Sequence, residues 1–360
     1  MTRVAILTPT LTAADAVSND VLAMQQLLTG RGHEVRVFAE HANLGNQKIE
    51  PPSAAHSFLR SSEDVLIYHH SIGWEHGIET VKRASCRKII KYHNVTPPEF
   101  FAGISEKHQR LCETGRSQLG EIVASQPALY MAASDFNKRD LIDAGSAAHK
   151  TFVVPPFNQA DKLQAGAADL EILDRYSDGN INLLTVGGVR PNKSHAALIK
   201  AFGAYVSLFN HEARLFIVGS ENESFGAYTD SLRVLIDTWR IESLVVFTGE
   251  VSDEALKAYY LLADALLMTS EHEGFCVPLV EAMAMKVPII AYASTAIGET
   301  AADSALVWEK RDPFLLAESI ERLRANETAK MALVARGAER YEKSFSNAAI
   351  AKRFLEVTGF

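Results

Sequence analysis

The 360-residue sequence is poor in cysteine, with only Cys86, Cys112 and Cys276, widely spaced and odd in number. That argues against a disulfide framework or a cysteine-based zinc site and for a reducing compartment. Long apolar runs are missing as well: nothing approaches the roughly 20 residues a membrane-spanning helix needs. No signal-peptide core precedes the first strand-like stretch, MTRVAILTPT. Charge of one sign is not in excess, with 36 basic against 44 acidic residues and a net charge of −8. A global field for nucleic acid is therefore absent, which still leaves room for a local basic patch and peripheral membrane contact. Two cofactor signatures are lacking too. No GxGxxG fingerprint follows the first strand, which argues against a dinucleotide, and no D-x-D string offers carboxylates to a metal. There are no internal repeats and no low-complexity tracts.

What is present is ordinary in proportion and regular in order. Apolar residues make up 47% and charged residues 22%, the balance of a globular protein. A chain of 360 residues outgrows one core, so about two domains are expected. Strand-like and helix-like stretches alternate almost throughout, which predicts an α/β fold with parallel sheets covered on both faces. Strands are expected over Val4–Thr8, Glu34–Ala39, Asp64–His69, Lys88–Tyr92, Ala128–Ala132 and Thr151–Val154, with helices over Val17–Leu28, Ser105–Ser125 and Asp135–Ala144. Segment 157–179 breaks the rhythm with polar and small residues and reads as an interdomain connection. The alternation restarts with strands Asn182–Val186, Ala213–Val218, Leu244–Phe247, Asp264–Met268 and Val287–Ala291. Helices are expected over Tyr228–Trp239, Asp312–Arg324, Glu327–Lys343 and Ser346–Thr358.

The most informative stretch is 264–292. Glu273 and Glu281 stand eight positions apart, either side of the junction where a turn, Thr269–Gly274, meets a helix expected from about Val277 to Met285. The first turn of a helix has backbone N–H groups without partners, and its dipole attracts an anion. A phosphate there is held without a special side chain. Pro278 suits that turn, where a missing N–H costs nothing. Two carboxylates beside a phosphate would repel it, but they suit the hydroxyl groups of a ribose or hexose flanking it, because a carboxylate accepts two hydrogen bonds. Acids that simply complement the helix dipole are the plainer use of the same residues.

Other candidates lie at strand ends. The strings HHSIGWEHG and HNVTPPEFF follow two strands, and ligands of open parallel sheets gather beyond such carboxyl ends. His93 and Asn94 stand there. His69, His70 and His76 are spaced loosely enough for a metal, but nothing else in the sequence supplies matching ligands, and they read as loop residues. Asp15, Ser18 and Asn19 suit the capping of the first helix. The turn Gly187-Gly-Val-Arg-Pro-Asn-Lys193-Ser194 fits the phosphate loop GxxxxGK[ST] except at Asn192, where glycine is required, and Pro191 removes one cradle N–H.

SEHEGFCVPLVEAM, with the strand before it, the small-residue helix after it and the following VPIIAY, resembles the E-x7-E signature of retaining glycosyltransferases of family 4, the group 1 type with the GT-B fold. The resemblance is dense over the second half and touches the first chiefly at HNVTPPEFF and AASDFN. It implies an α/β chain of two Rossmann-like domains whose parallel sheets face a central cleft. Residues 1–157 would form the acceptor side, 158–343 would hold the donor, and 344–360 would be a helix crossing back. A nucleotide-sugar donor is implied, with Glu281 on the ribose and Glu273 on the transferred sugar. Backbone near Gly274 and Phe275 would serve the phosphate or sugar, and Gly219 belongs to the same donor set. Backbone around Gly249–Val251 would meet the nucleobase, so Val251 joins the set, and Thr295 and Ala296 would lie near the phosphates. Lys193 occupies the position of a lysine that holds the pyrophosphate. The usual arginine after the first glycine is Gly188 here, and Arg190 is its candidate substitute. His93 would face the transferred sugar, with Asn94, His70 and Asp15 on the acceptor side.

The chemistry implied is transfer of a hexose such as mannose, rhamnose or glucose to a glycan or lipid-linked acceptor, in bacterial surface polysaccharide synthesis. It would run in the cytoplasm or at the inner face of the membrane. Negative charge grows on the diphosphate as the glycosidic bond breaks, and a nearby cation in a water-poor site stabilises it most at the transition state. Lys193 and helix N-termini would do this without a metal, and no cofactor beyond the sugar nucleotide is expected. Rival readings are an epimerase or a phosphorylase on the same fold, or a non-catalytic subunit that binds nucleotide sugar.

Overall fold

The computed structural model describes residues 2–13, 15–43 and 49–360. It divides into two compact units, one of Met1–Glu99, Glu106–Asn158 and Asn347–Phe360, the other of Phe100–Ser105 and Gln159–Ser346.

The first unit is built on β1 (Arg3–Thr12), β2 (Glu34–Asn43), β3 (Val65–His70), β4 (Arg87–Tyr92), β5 (Leu129–Ala132) and β6 (Thr151–Val153). They form a six-stranded sheet in the order β2-β1-β3-β4-β5-β6, with every neighbouring pair parallel. The run VLIYHH of β3 is buried at every position, as expected when helices cover both faces of a sheet. Helix Ala16–Gly30 connects β1 to β2 and buries Val21, Met24 and Leu28. The last helix, Asn347–Thr358, completes the same core with Ile350 and Phe354, both 0% exposed.

The second unit carries β7 (Ile181–Val186), β8 (Ala213–Val218), β9 (Val245–Gly249), β10 (Ala265–Met268), β11 (Ile289–Tyr292) and β12 (Leu306–Trp308). Its order is β12-β11-β10-β7-β8-β9, again all parallel. The chain runs outward from β7 to β9 and then returns to the other side of β7 as β10. The helices that follow β7 and β10 therefore lead to opposite sides of the sheet, and the carboxyl ends of these two strands mark the switch point at which ligands of open parallel sheets gather. An equivalent reversal in the first sheet lies between β1 and β3.

Several expectations change. Part of HHSIGWEHG, read as loop, is a helix, Glu75–Arg83, that buries Ile78 and Val81. Strand β2 runs on to Asn43 instead of ending at Ala39. Short β12 carried no signal beyond its three residues. The helix expected over Glu327–Lys343 ends at Arg340 and passes into a π-helical turn, Tyr341–Phe345. Segment 157–179 contains two short helices, Ala160–Ala165 and Leu170–Tyr176. Ala14, in the loop read for capping, lies outside the described residues.

Candidate active site

In the second unit, three strand ends are joined through glycine. Gly187 follows β7 and donates its N–H to Val218 O at 2.8 Å, and Gly219 donates to Gly249 O at 3.0 Å. Gly219 has φ +151, and a Cβ there would lie 2.2 Å from Gly187 O. Only glycine permits that approach. Val189 N–H then bonds Ser220 O at 2.9 Å, so the loop after β7 runs beside the loop after β8.

The β7 loop closes in a 3₁₀ turn, Pro191–Lys193, and Ser194 enters helix His195–Leu208 with φ 52. This turn is fastened to the loop after β10. Asn192 O accepts from Glu271 N–H at 2.8 Å, and Asn192 Nδ2 donates to His272 O at 3.1 Å. Ser194 Oγ donates to Glu271 Oε1 at 2.8 Å, and Thr269 Oγ1 to Ser194 O at 3.1 Å. The phosphate-loop pattern thus has a different purpose here. Asn192 spends its amide on a neighbouring loop, where a phosphate cradle would need a bare backbone.

These clamps bring Lys193 to Glu273, with Nζ 2.5 Å from Oε1. The carboxylate side chain is 8% exposed and the lysine 21%. Glu273 is itself fixed at its backbone: Thr295 Oγ1 accepts from its N–H and donates to its carbonyl, both at 2.8 Å. Among the described residues, the N–H groups of Gly274 and Phe275 have no hydrogen-bond partner. Helix Val277–Ala284 follows, entered through Cys276 at φ 74 with Pro278 in its first turn. Glu281 lies in the second turn of that helix. It is buried and accepts a bond from Tyr260 O–H at 2.8 Å. Burial holds its carboxyl above the usual carboxylate range, and the Tyr260 bond offsets this only partly.

Arg190 is exposed, and the guanidinium folds over the glycine two residues back: a Cβ added at Gly188 would lie 3.4 Å from Arg190 Nε. The space that an arginine at 188 would start from is thus bordered by the guanidinium of 190. Val251 follows Gly249 and precedes Ser252, which caps helix Asp253–Leu262 by accepting from Ala255 N–H. Ala296 is buried.

The first-unit candidates fare unevenly. His93, just beyond β4, contacts His69 on β3 through Nε2 and Nδ1 at 2.9 Å. His70, expected on the acceptor side, is a core residue: it is 0% exposed, with one ring nitrogen 3.1 Å from Tyr68 O–H and the other 2.8 Å from Gly115 O. Burial lowers its pKa to about 4. Asn94 is buried as well, donating to Asn137 Oδ1 at 2.9 Å and Asp140 Oδ2 at 3.0 Å, so its amide braces helix Asp135–Asp143. Asp15 is the N-cap of helix Ala16–Gly30 and accepts from Ser18 N–H.

Asp20 and Lys91 escaped the sequence reading as site candidates, and His69, weighed there for a metal and read as a loop residue, lies within β3; all three are 0% exposed. A signal for Asp20 was there, since it continues the buried series of Met24 and Leu28 at a spacing of four residues. Asp20, His69 and His93 place ligand atoms within 4.8 Å of one another, a spacing that could hold a metal ion. Lys91 Nζ, however, lies 3.8 Å from the same Asp20 Oδ2 and already supplies a cation there.

Residues 174–340 match the family model for glycosyl transferases, group 1. That match lies within the second unit, around the Lys193–Glu273 site. The D-inositol 3-phosphate glycosyltransferase of Kineococcus radiotolerans is 28% identical over 263 residues, covering 66% of this chain and 59% of the relative. The serotype-specific mannosyltransferase WbdA of Escherichia coli is 28% identical over 168 residues, 47% of this chain and 19% of that protein. The chain thus spans about three fifths of one relative's length and a fifth of the other's. Among solved structures, Anabaena HepE in complex with UDP and glucose superimposes with a TM-score of 0.78 at 15% identity, over 100% of both chains. The likeness shows the fold, which is GT-B. No helix among the described residues is long and apolar enough to cross a membrane.

Proposed function

We propose that the chain is a retaining, metal-independent glycosyltransferase of family 4. It moves a hexose from a nucleoside-diphosphate sugar to a glycan or lipid-linked acceptor in surface polysaccharide synthesis. The observation that carries this is the half-buried contact of Lys193 with Glu273 at 2.5 Å, beside the start of helix Val277–Ala284. An ammonium and a helix start suit a diphosphate, while a carboxylate suits the sugar's hydroxyls. The group 1 model match over the same residues and the transferase names of the relatives support the same reading.

In this reading Glu281 holds the ribose and Glu273 the transferred sugar. Lys193 exchanges part of its contact with Glu273 for the donor phosphates, and Arg190 reaches the diphosphate in place of the arginine replaced by Gly188. The amides of Gly274 and Phe275 bind phosphate or sugar oxygens, Gly219 belongs to the donor side, and backbone around Gly249–Val251 meets the nucleobase. As the glycosidic bond lengthens, charge grows on the leaving phosphate, where Lys193 acts most strongly. Retention then follows from front-face attack: the acceptor hydroxyl enters on the side the diphosphate leaves and gives it the proton. Glu273 positions the sugar and forms no covalent link, so a trapped glycosyl–Glu273 adduct in a slow variant would overturn that step.

The test is to incubate the protein with a panel of nucleoside-diphosphate sugars, with and without lipid-linked acceptors. Expected are acceptor-dependent release of nucleoside diphosphate and retention of the anomeric configuration by NMR. Conversion of the donor sugar without acceptor would indicate an epimerase. Donor binding without turnover would indicate a non-catalytic subunit.

A further inference from the structure

The first unit contains a buried ionisable cluster that the mechanism above leaves unused. Helix Ala16–Gly30 supplies Asp20, β3 supplies His69 and β4 supplies Lys91, with His69 and Lys91 paired in register. His93 lies at their edge and keeps 8% of its side chain exposed, against 0% for the other three. The two imidazoles stack with centroids 5.1 Å apart and share one contact, His69 Nδ1 to His93 Nε2 at 2.9 Å. Asp20 Oδ1 accepts from Phe157 N–H at 2.8 Å. Asp20 Oδ2 has no hydrogen bond among the described residues, and lies 3.5 Å from His93 Nε2 and 3.8 Å from both His69 Nδ1 and Lys91 Nζ. The Lys91 ammonium donates to Val154 O.

We propose that His69, with Asp20 and Lys91 behind it, locks His93 with its proton on Nδ1, making it a fixed hydrogen-bond donor to a substrate oxygen. Burial keeps both histidines neutral at neutral pH, and the groups acting on His93 besides Asp20 (His69, Lys91 and His70) push the same way. Two neutral imidazoles joined by one contact share one proton, so one ring donates and the other accepts. Were His93 the donor, the proton of His69 would sit on Nε2, which is buried without a partner among the described residues. An orphaned buried N–H is the rarer and costlier arrangement. With His69 as donor, only a lone pair is left without a partner there. The Asp20 carboxylate, which Lys91 helps keep ionised, lies beside both nitrogens and favours a proton between the rings whichever ring carries it. His93 Nε2 is then occupied as an acceptor, and Nδ1–H, which makes no hydrogen bond among the described residues, is the nitrogen offered to a ligand. His69, Asp20 and Lys91 are positioning residues in this account. His93 serves as a donor, which removes it as a general base.

The substrate role rests on the glycosyl-transfer reading, while the tautomer does not, and the experiment separates them. Nitrogen-15 imidazole spectra of the full chain, assigned with His93→Gln, report which ring nitrogen is protonated. Expected is a protonated Nδ1 and bare Nε2 on His93, unchanged between about pH 6 and 8, a range in which an ordinary histidine titrates. His69→Phe should free the tautomer, lower kcat about tenfold, as loss of one oriented hydrogen bond does, and give the pH profile a limb near the ordinary histidine value. His69→Asn, whose amide can replace the Nδ1 donor, should restore most of the rate. A proton on His93 Nε2 in the wild type, a His93 titration near the ordinary value, or a divalent metal ion retained on Asp20, His69 and His93 by elemental analysis would overturn the proposal. If His69→Phe does not fold, the wild-type spectrum still decides. If no donor supports transfer, the functional reading falls and the spectrum settles the tautomer alone.

Discussion

At the scale of single residues, the site turns on a lysine that is already engaged. Lys193 reaches Glu273 at 2.5 Å, whereas Arg190 is exposed and makes no ion pair among the described residues. In the proposed mechanism the two cations answer different needs: Lys193 is held in place by Glu273, and Arg190 swings onto the diphosphate. Lys193→Ala should lower kcat by about 10²-fold or more, in line with loss of one charge-stabilising donor. Arg190→Ala should act mainly on KM. Steady-state kinetics with the identified donor checks both, and wild-type kcat in Lys193→Ala would remove that residue from the mechanism. The motif made Lys193 and Glu273 legible one at a time. Their contact was not legible, because it spans 80 residues and depends on where two loops meet. His70 and Asn94 misled for a related reason: a polar residue at a strand end reads the same whether it faces solvent or braces the core.

At the scale of elements, the β7, β8 and β9 ends are held together by backbone contact that no side chain could replace. Gly219→Ala would force a Cβ to 2.2 Å from Gly187 O at a φ of +151. Loss of about 3 kcal/mol or more is expected, since both strain and a backbone clash apply. A urea titration reads it, and an unchanged midpoint would mean the loops separate without cost. The same displacement should weaken donor binding, because Lys193 hangs on the loop that Gly187 begins. Long apolar strands and well-capped helices were legible from period and flanking residues. Helix Glu75–Arg83 was not. It has nine residues, a glycine in its first turn and no side-chain cap, so local preference carried little and packing decided. Gly77 is there for contact, since a Cβ would lie 2.4 Å from Trp74 Cε3.

At the scale of the whole molecule, alternating strands and helices made two parallel sheets legible. Strand order within them was not legible, because which parallel strands become neighbours is decided by the packing of the crossover helices. The last helix belongs to the first unit because Ile350 and Phe354 are buried in that core, and Asn158 and Asn347 bond each other at 2.9 and 3.2 Å where the chain leaves and returns. Phe354→Ala should cost about 3–5 kcal/mol for a large buried side chain, lowering the first unit's urea midpoint. Both units also share a response to acid. Burial pushes His70 in the first and His195 in the second to about 4, and holds His69 and His93 well below the ordinary value. The unfolded chain binds protons on these histidines near pH 6.5, whereas the folded chain does so only near 4 or lower. Between those values the unfolded state carries more protons, so stability present at pH 7 is lost as pH falls. Asp20 works the other way, because burial raises its carboxyl to about 6 and the folded state takes that proton first. In the first unit three histidines stand against Asp20, a net loss on the order of 1 kcal/mol per pH unit for each uncompensated histidine; in the second unit His195 is opposed by Glu281 and Asp264, whose carboxyls burial also raises. The first unit's urea midpoint should therefore fall between pH 7 and 5.5, and His195→Gln should make the second unit's midpoint less sensitive to falling pH while leaving the first unit's fall in place. The same pH response of the second unit with and without His195→Gln would mean His195 is protonated in the folded state as readily as in the unfolded chain, and that its surroundings tolerate the charge.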